Sequence, residues 1–398
     1  MRFIAITCFS FLLTSRLPAQ STLNPGNSLD TISLDDPDLE IKLMQAGALS
    51  GDAKWQLEFG LRLLKGKGIA RNTREALIWI NKAAEQNHVK AQIMLGEIYW
   101  KGEDIDRDYS KAYQWYLRAA NQGEPVAEYL VGFSYSTGNG IQKDYQKAAA
   151  WYLKSAQKGN KLGQHGFACC LHEGLGVELN MPQALLWFKK AADQGHTDAQ
   201  NILAIKHYAK GEYEAAKSYS QKSAASKNAI GQYILSISIM ATPGGKDSRE
   251  AAMLMLASAQ QGYADAQLSV GEAYLYHGLA GVKNAVEAVR WLKASAEQGD
   301  AKAQYLLGGC YATGNGTLKD EIEAYAILNI SGVSYPKAKV ALNLLEDIMS
   351  PDARIAGQQR AKQLQAHFEK VRKDKEGSVD TLQQLLKEIE REKSLKGA

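Results

Sequence analysis

Small, apolar and polar positions return in step along most of this chain. Trp79, Trp115, Trp151 and Trp187 lie 36 residues apart, and an alanine stands three positions before each (Ala76, Ala112, Ala148 and Ala184). Gly60, Gly96, Gly132, Ala168 and Ala204 keep the same interval, as do Asn72, Asp108, Asp144 and Asn180. Asn87, Gly123, Gly159 and Gly195 close successive periods. Within 88–101, Ala91, Leu95 and Tyr99 fall at i, i+4 and i+8, the apolar stripe of a helix, here helix A. Gly96 removes a side chain beside that stripe, which lets a partner helix approach closely. Gly102 then ends helix A, and a loop leads to Asp108, whose carboxylate caps the first turn of helix B. Helix B carries Ala112, Trp115, Ala119 and Ala120 and stops at Gly123. One period is one antiparallel helix pair, so the chain predicts an all-α solenoid of about eight helix-pair repeats with terminal capping helices.

On this register the repeats run 52–87, 88–123, 124–159, 160–195, 196–227, 228–262, 263–299 and 300–335. The fifth is shortened at Lys210-Gly211. The sixth carries a different loop, Thr242-Pro243-Gly244-Gly245, and no tryptophan. The pattern returns with Gly271, Tyr274, Asn284 and Trp291, then with Gly308, Tyr311, Gly314 and Asp320. Residues 38–51 read as an N-terminal capping helix, and 336–371 as two C-terminal capping helices broken at Ser350-Pro351. The tail 372–398 is charged and holds one short apolar stripe, Val379 to Ile389, too short for an independent coiled coil.

The N-terminus has a different character. Arg2, an apolar run from Phe3 to Leu13, and small residues around Ala19 form the pattern of a secretory signal peptide spanning 1–20. The competing reading is an uncleaved anchor, but a run of about eleven residues is short for a bilayer. Residues 21–37 are polar and acidic and read as a flexible linker. The expected location is therefore outside the cytoplasm, periplasmic or secreted, with no membrane span once the leader is cut.

Composition narrows the rest. Glycine is plentiful (35) and proline scarce (8), which suits short helices punctuated by glycine stops. Lys+Arg 47 against Asp+Glu 43 leaves +4, too near neutrality to argue for a nucleic-acid partner. Loss of Cys8 with the leader leaves Cys169, Cys170 and Cys310, an odd set without regular spacing, so these thiols read as small buried residues.

The repeated string Ala91, Leu95, Gly96, Tyr99, then Gly-x-Gly, Asp108, Ala112, Trp115, Ala119, Ala120, Gln122 and Gly123 resembles the Sel-one-like repeat, a relative of the tetratricopeptide repeat. The resemblance covers roughly 38–370 and implies a right-handed α/α superhelix with helix A lining a concave face. It also implies an adaptor for protein complexes, and it brings no catalytic residues. Transferring that geometry puts Ile93, Glu97 and Trp100, Tyr129 and Phe133, His165 and His172, Tyr208 and Tyr305 on the concave face. They are the expected contacts for a protein or extended peptide, with Trp100, Tyr129, Phe133 and Tyr208 as aromatic anchors. Trp79, Trp115, Trp151, Trp187 and Trp291 on helix B read instead as buried structural residues.

No enzyme motif accompanies the repeat. There is no phosphate loop, no His-Glu-x-x-His and no Gly-x-Ser-x-Gly. The Gly-x-Gly pieces at Gly66, Gly138 and Gly174 follow a helix rather than a strand and are turns. The chain is thus expected to be a scaffold, not an enzyme, and to need no cofactor. One alternative stays open: His165, Cys169 and His172 share a face of one helix and offer nitrogen and sulfur donors to a metal, as in an exported metal-binding or hydrolytic protein.

Overall fold

In the computed structural model the described residues are 37–245 and 248–375; the expected leader, most of the linker and the Val379–Ile389 stripe lie outside them. The described residues form helices throughout and no strand, apart from an isolated bridge between Leu279 and Val282. Two compact units divide between His196 and Thr197.

The unit 37–196 contains α1 (Pro37–Leu49), α2 (Ala53–Lys65), α3 (Thr73–Glu85), α4 (Val89–Lys101), α5 (Tyr109–Asn121), α6 (Pro125–Thr137), α7 (Tyr145–Gln157), α8 (Lys161–Glu173) and α9 (Met181–Asp193). Each helix packs on the one before it, so α2·α3, α4·α5, α6·α7 and α8·α9 are the four helix pairs. The unit 197–375 contains α10 (Thr197–Ala209), α11 (Tyr213–Ala225), α12 (Ala229–Ala241), α13 (Arg249–Gln260), α14 (Ala264–Glu272), α15 (Ala285–Glu297), α16 (Ala301–Thr313), α17 (Glu321–Ser331), α18 (Pro336–Glu346) and α19 (Pro351–Lys375). Its pairs are α10·α11, α12·α13, α14·α15 and α16·α17.

The local signals act as the spacing requires. The Lys111 N–H donates to Asp108 Oδ1 at 2.9 Å, and the Lys147 N–H to Asp144 Oδ1 at 3.0 Å. Asn72, Asn180, Asn284 and Asp320 cap their helices in the same way. Gly102 and Gly123 are left-handed at φ 66° and 85°, and Asn87 takes the same region at 62°. The second glycine of the Gly-x-Gly turns at Gly140, Gly176 and Gly316 is needed for a further reason. A Cβ on Gly140 would lie 2.0 Å from the Tyr109 carbonyl oxygen, so the turn seats directly on the start of the preceding helix B.

In five of the eight pairs the core is a glycine facing a bulky residue, with Ala168 and Ala204 at that position in the fourth and fifth. A Cβ on Gly96 would meet the Tyr116 ring, and Gly132 faces Tyr152 in the same way. Gly60 faces Ile80, Gly271 faces Leu292, and Gly308 faces Leu328. The residue immediately after the tryptophan is therefore the deep core residue of helix B: Ile80, Tyr116 and Phe188 are at most 2% exposed. This corrects the reading of the tryptophans as uniformly buried. Trp79 and Trp291 are buried, whereas Trp115, Trp151 and Trp187 are only half-buried. They lie one position round the helix, where a cation three residues on covers the ring. Lys82 lies 4.2 Å from the Trp79 centroid, Lys154 4.0 Å from Trp151, and Lys190 4.1 Å from Trp187.

Two departures from the period have visible causes. In the fifth repeat α11 follows α10 after only residues 210–212, Glu212 makes no side-chain cap bond, and Ser220 takes the place of the core ring. Lys227 there adopts φ 57° in place of glycine or asparagine. In the seventh repeat helix A carries one residue more than its counterparts. The 9 residues of α14 run into a 5-residue π turn, Ala273–His277, against 13 residues in α4. The π turn takes up the extra residue, and Asn284 still caps α15.

Candidate functional site

Helix A positions expected to face a partner divide by burial. In the unit 37–196, Ile93, Tyr129, Phe133 and His165 are buried. Glu97, Trp100, Cys169 and His172 remain partly accessible. Tyr129 and Phe133, expected as anchors, are instead covered by other rings. Phe133 lies 6.3 Å from Tyr129 and 5.4 Å from Trp100, and Tyr129 lies 5.6 Å from Tyr152 (centroid distances). The Tyr152 and Ser136 hydroxyls are hydrogen-bonded at 3.0 Å, which satisfies both polar atoms inside this packing. The period alone is blind to this partition, because buried and accessible members share one helical phase.

Trp100 sits at the edge of the aromatic bed. Its ring meets Tyr109 edge-on at 4.7 Å as well as Phe133, so it is held from two sides while part of it stays open. Glu97 is one turn earlier on α4. Burial pushes its carboxyl up to about 7, and the Lys101 ammonium opposes that rise. The site pairs a rigid aromatic surface with a carboxyl poised to lose its proton near neutrality.

The histidines settle differently from the sequence expectation. His165 stacks on His196 with centroids 4.3 Å apart, and both rings are buried. Burial first, then His165 and Lys161, hold the His196 imidazole well below the usual histidine range. His165 also meets Phe188 at 5.6 Å, and His172 meets that ring at 6.3 Å. Cys169 Sγ lies 3.7 Å from His165 Nε2, but donor atoms of His165, Cys169 and His172 do not all three come within 4.8 Å of one another, so these three do not form a metal set together. Cys170 and Cys310 are buried, Cys169 is partly accessible, and none of the three is in a disulfide. Burial pushes the Cys170 thiol up to about 12, which suits a packing role.

In the unit 197–375 the corresponding residues Tyr208, Leu268, Glu272, Leu275 and Tyr305 are all partly accessible. Tyr208 packs against Tyr213 at 5.4 Å and Tyr305 against Tyr335 at 5.2 Å. Lys302 pairs with Glu272 at 2.6 Å.

A polar ladder that the sequence reading passed over runs behind these helices. Gln92 Nε2 donates to the Ala84 carbonyl at 3.1 Å, and Gln122 Nε2 donates to Gln92 Oε1 at 2.7 Å. Gln86 and Gln56, Gln194 and Gln164, and Gln298 and Gln267 repeat the rung. The signal was present as glutamines at the repeat interval. In the third repeat the rung becomes an ion pair: Lys158 Nζ donates to Glu128 Oε1 at 2.6 Å and to the Gly123 carbonyl at 2.9 Å. This rung borders an open depression of about 450 Å³ that Trp151 and Lys154 also line. No helix among the described residues is long and apolar enough to cross a membrane.

The Sel1 repeat family matches residues 56–88, 89–124, 125–160, 161–196, 229–263, 264–300 and 301–330. The unmatched stretch 197–228 holds the shortened pair α10·α11. Among solved structures, a Sel1 repeat protein from Oxalobacter formigenes is 26% identical, with a TM-score of 0.55, over 84% of this chain and 99% of that one. The c5321 protective antigen of uropathogenic Escherichia coli strains, which displays an SLR fold, is 25% identical, with a TM-score of 0.49, over 86% of this chain and 83% of that one. None of the curated proteins matches the chain.

Proposed function

This chain belongs to the Sel1 repeat family, and we propose that it is a non-enzymatic scaffold that binds a protein or an extended peptide along helix A positions, outside the cytoplasm. Sel1 repeat proteins are generally protein-interaction scaffolds and typically non-enzymatic, and that is the coarse premise. The observation that carries the finer reading is Trp100, half-open and braced by Tyr109 and Phe133 beside Glu97. A pre-ordered aromatic ring offers contact area to a partner at little further entropic cost. Glu97 and His172 extend the contact row within the unit 37–196, and Tyr208 and Tyr305 are the corresponding candidates within the unit 197–375. Ile93, Tyr129, Phe133 and His165 form the bed under it. Affinity on such a surface is the sum of several shallow contacts.

The test is selection of peptides from a displayed library on the purified chain, followed by titration calorimetry. Trp100→Ala is expected to weaken a selected peptide about tenfold or more, while Gln114→Ala on exposed helix B changes nothing. Peptides that bind both tryptophan-site and wild-type chains equally would move the site off helix A. The exported location is tested separately by sequencing the N-terminus of the chain recovered from its native cells. An N-terminus at Gln20 or Ser21 is expected, and one that retains residues 1–19 refutes cleavage.

A further inference from the structure

Every helix A from α2 to α16 is packed along its length by helix B of the same pair. α18 occupies the next helix A position, on the eighth pair, but no mate follows it. The chain breaks at Ser350-Pro351, and α19 lies against α17, with Arg360 paired to Glu323 and Gly357 under the Tyr325 ring. The inner face of α18 is satisfied: Ala338, Leu345 and Met349 are buried with Tyr325 and Leu328. On its other side Val340 and Leu344 are 61% and 65% exposed, Ile348 in the turn that follows is 70% exposed, and no helix among the described residues covers them.

We propose that this open stripe is a self-association surface, on which a second copy of the chain docks antiparallel with Val340 of each copy against Leu344 of the other. The pattern of exposed residues selects that occupant. Lys337, Val340 and Leu344 recur on α18 at intervals of three and four and so share one face, and exposed Asp347 and Ile348 follow in the turn that ends the helix. A two-fold axis at the level of Leu342 sets Val340 opposite Leu344. The same axis sets exposed Lys337 opposite exposed Asp347, so unlike charges flank the apolar centre in both halves. A self-complementary patch of this kind is what an isologous contact requires. A parallel pairing would place Lys337 against Lys337 and Asp347 against Asp347. A single helix face is small for an obligate dimer, so the association belongs to the weak, reversible class.

Sedimentation velocity of the full chain across roughly 1 to 200 µM tests it. The wild type is expected to move from monomer to dimer over that range, and Leu344→Glu to remain monomeric. Lys337→Glu and Asp347→Lys should each weaken association about tenfold, and the double exchange should restore it to within about threefold. All three positions substituted are exposed, so unchanged melting temperatures separate lost association from lost folding. A wild type that stays monomeric at the highest concentration overturns the proposal. The stripe would then belong to residues 376–398 if hydrogen exchange finds it protected, and to a different protein if not. A double exchange that fails to restore association overturns the antiparallel register.

Discussion

A methyl group on Gly96 would stand 2.3 Å from Cε1 of Tyr116, so the ring on α5 fills the volume a side chain on α4 would need. The missing side chain is the contact. The same exchange of bulk for absence recurs between Gly132 and Tyr152 and between Gly308 and Leu328.

Gly96→Ala is therefore expected to destabilise the fold by about 1–3 kcal/mol through overpacking. Gly309 provides the internal contrast. It is exposed within α16, and nothing lies within 4 Å of a Cβ built there. Gly309→Ala should stabilise by up to about 1 kcal/mol through helix propensity. Chemical denaturation of the two variants checks both signs.

The Glu128–Lys158 rung gives a second expectation. Glu128 is 3% exposed, and Lys158 is its cationic partner. Lys158→Ala should cost about 1–3 kcal/mol, a range reduced because Lys158 itself is 42% exposed. The double variant Glu128→Gln, Lys158→Gln rebuilds the rung seen at Gln92 and Gln122 and should fall within about 1 kcal/mol of wild type. A double-mutant cycle by denaturant melts measures the coupling.

Two groups shifted by their surroundings, partly accessible Glu97 and buried His196, tilt stability with pH in opposite directions. Glu97 binds its proton more tightly folded than unfolded, so its contribution is intact below about pH 4.5 and is lost as pH rises through about 7. Glu97→Gln should raise stability at pH 8 by about 1–3 kcal/mol and leave it unchanged near pH 4. His196 is held neutral, so its contribution is present above pH 6.5 and is lost as pH falls toward its depressed folded value. His196→Asn should flatten the acid limb and leave the alkaline one alone. Melting temperatures from pH 4 to 8 separate the two.

Lys227 holds a left-handed conformation where most other repeats place glycine. Lys227→Gly should relieve that strain and add about 1 kcal/mol, an unusual gain for removing a side chain. Equal or lower stability on calorimetry would refute the strain.

The caps, the glycine stops and the pairing of helices were legible in the sequence because each is decided within a few residues. Asp108 caps α5 through its own neighbours, and Gly123 stops it through its own φ. The candidate site was only half legible. Phe133 and Trp100 share a helix A phase, but Phe133 is enclosed by Trp100 and Tyr129 while Trp100 lies at the margin. That difference is set by which rings meet in space. The same holds for Trp115 and Tyr116: adjacent in sequence, they diverge because only Tyr116 finds a glycine opposite. The glutamine rungs escaped notice because a polar residue reads as solvent-facing until its partner thirty positions away is seen.

The π turn after α14 has a consequence for how such a chain can change. An added residue in an ordinary helix would rotate everything downstream by about 100° and misdirect each later contact. Here the disturbance is spent within Ala273–His277, and Asn284 restarts the next helix on schedule. Every capped start is a point of resynchronisation, so an insertion or deletion is quarantined inside the module where it arises. An architecture with that property can edit one module's outward chemistry while its neighbours keep their register.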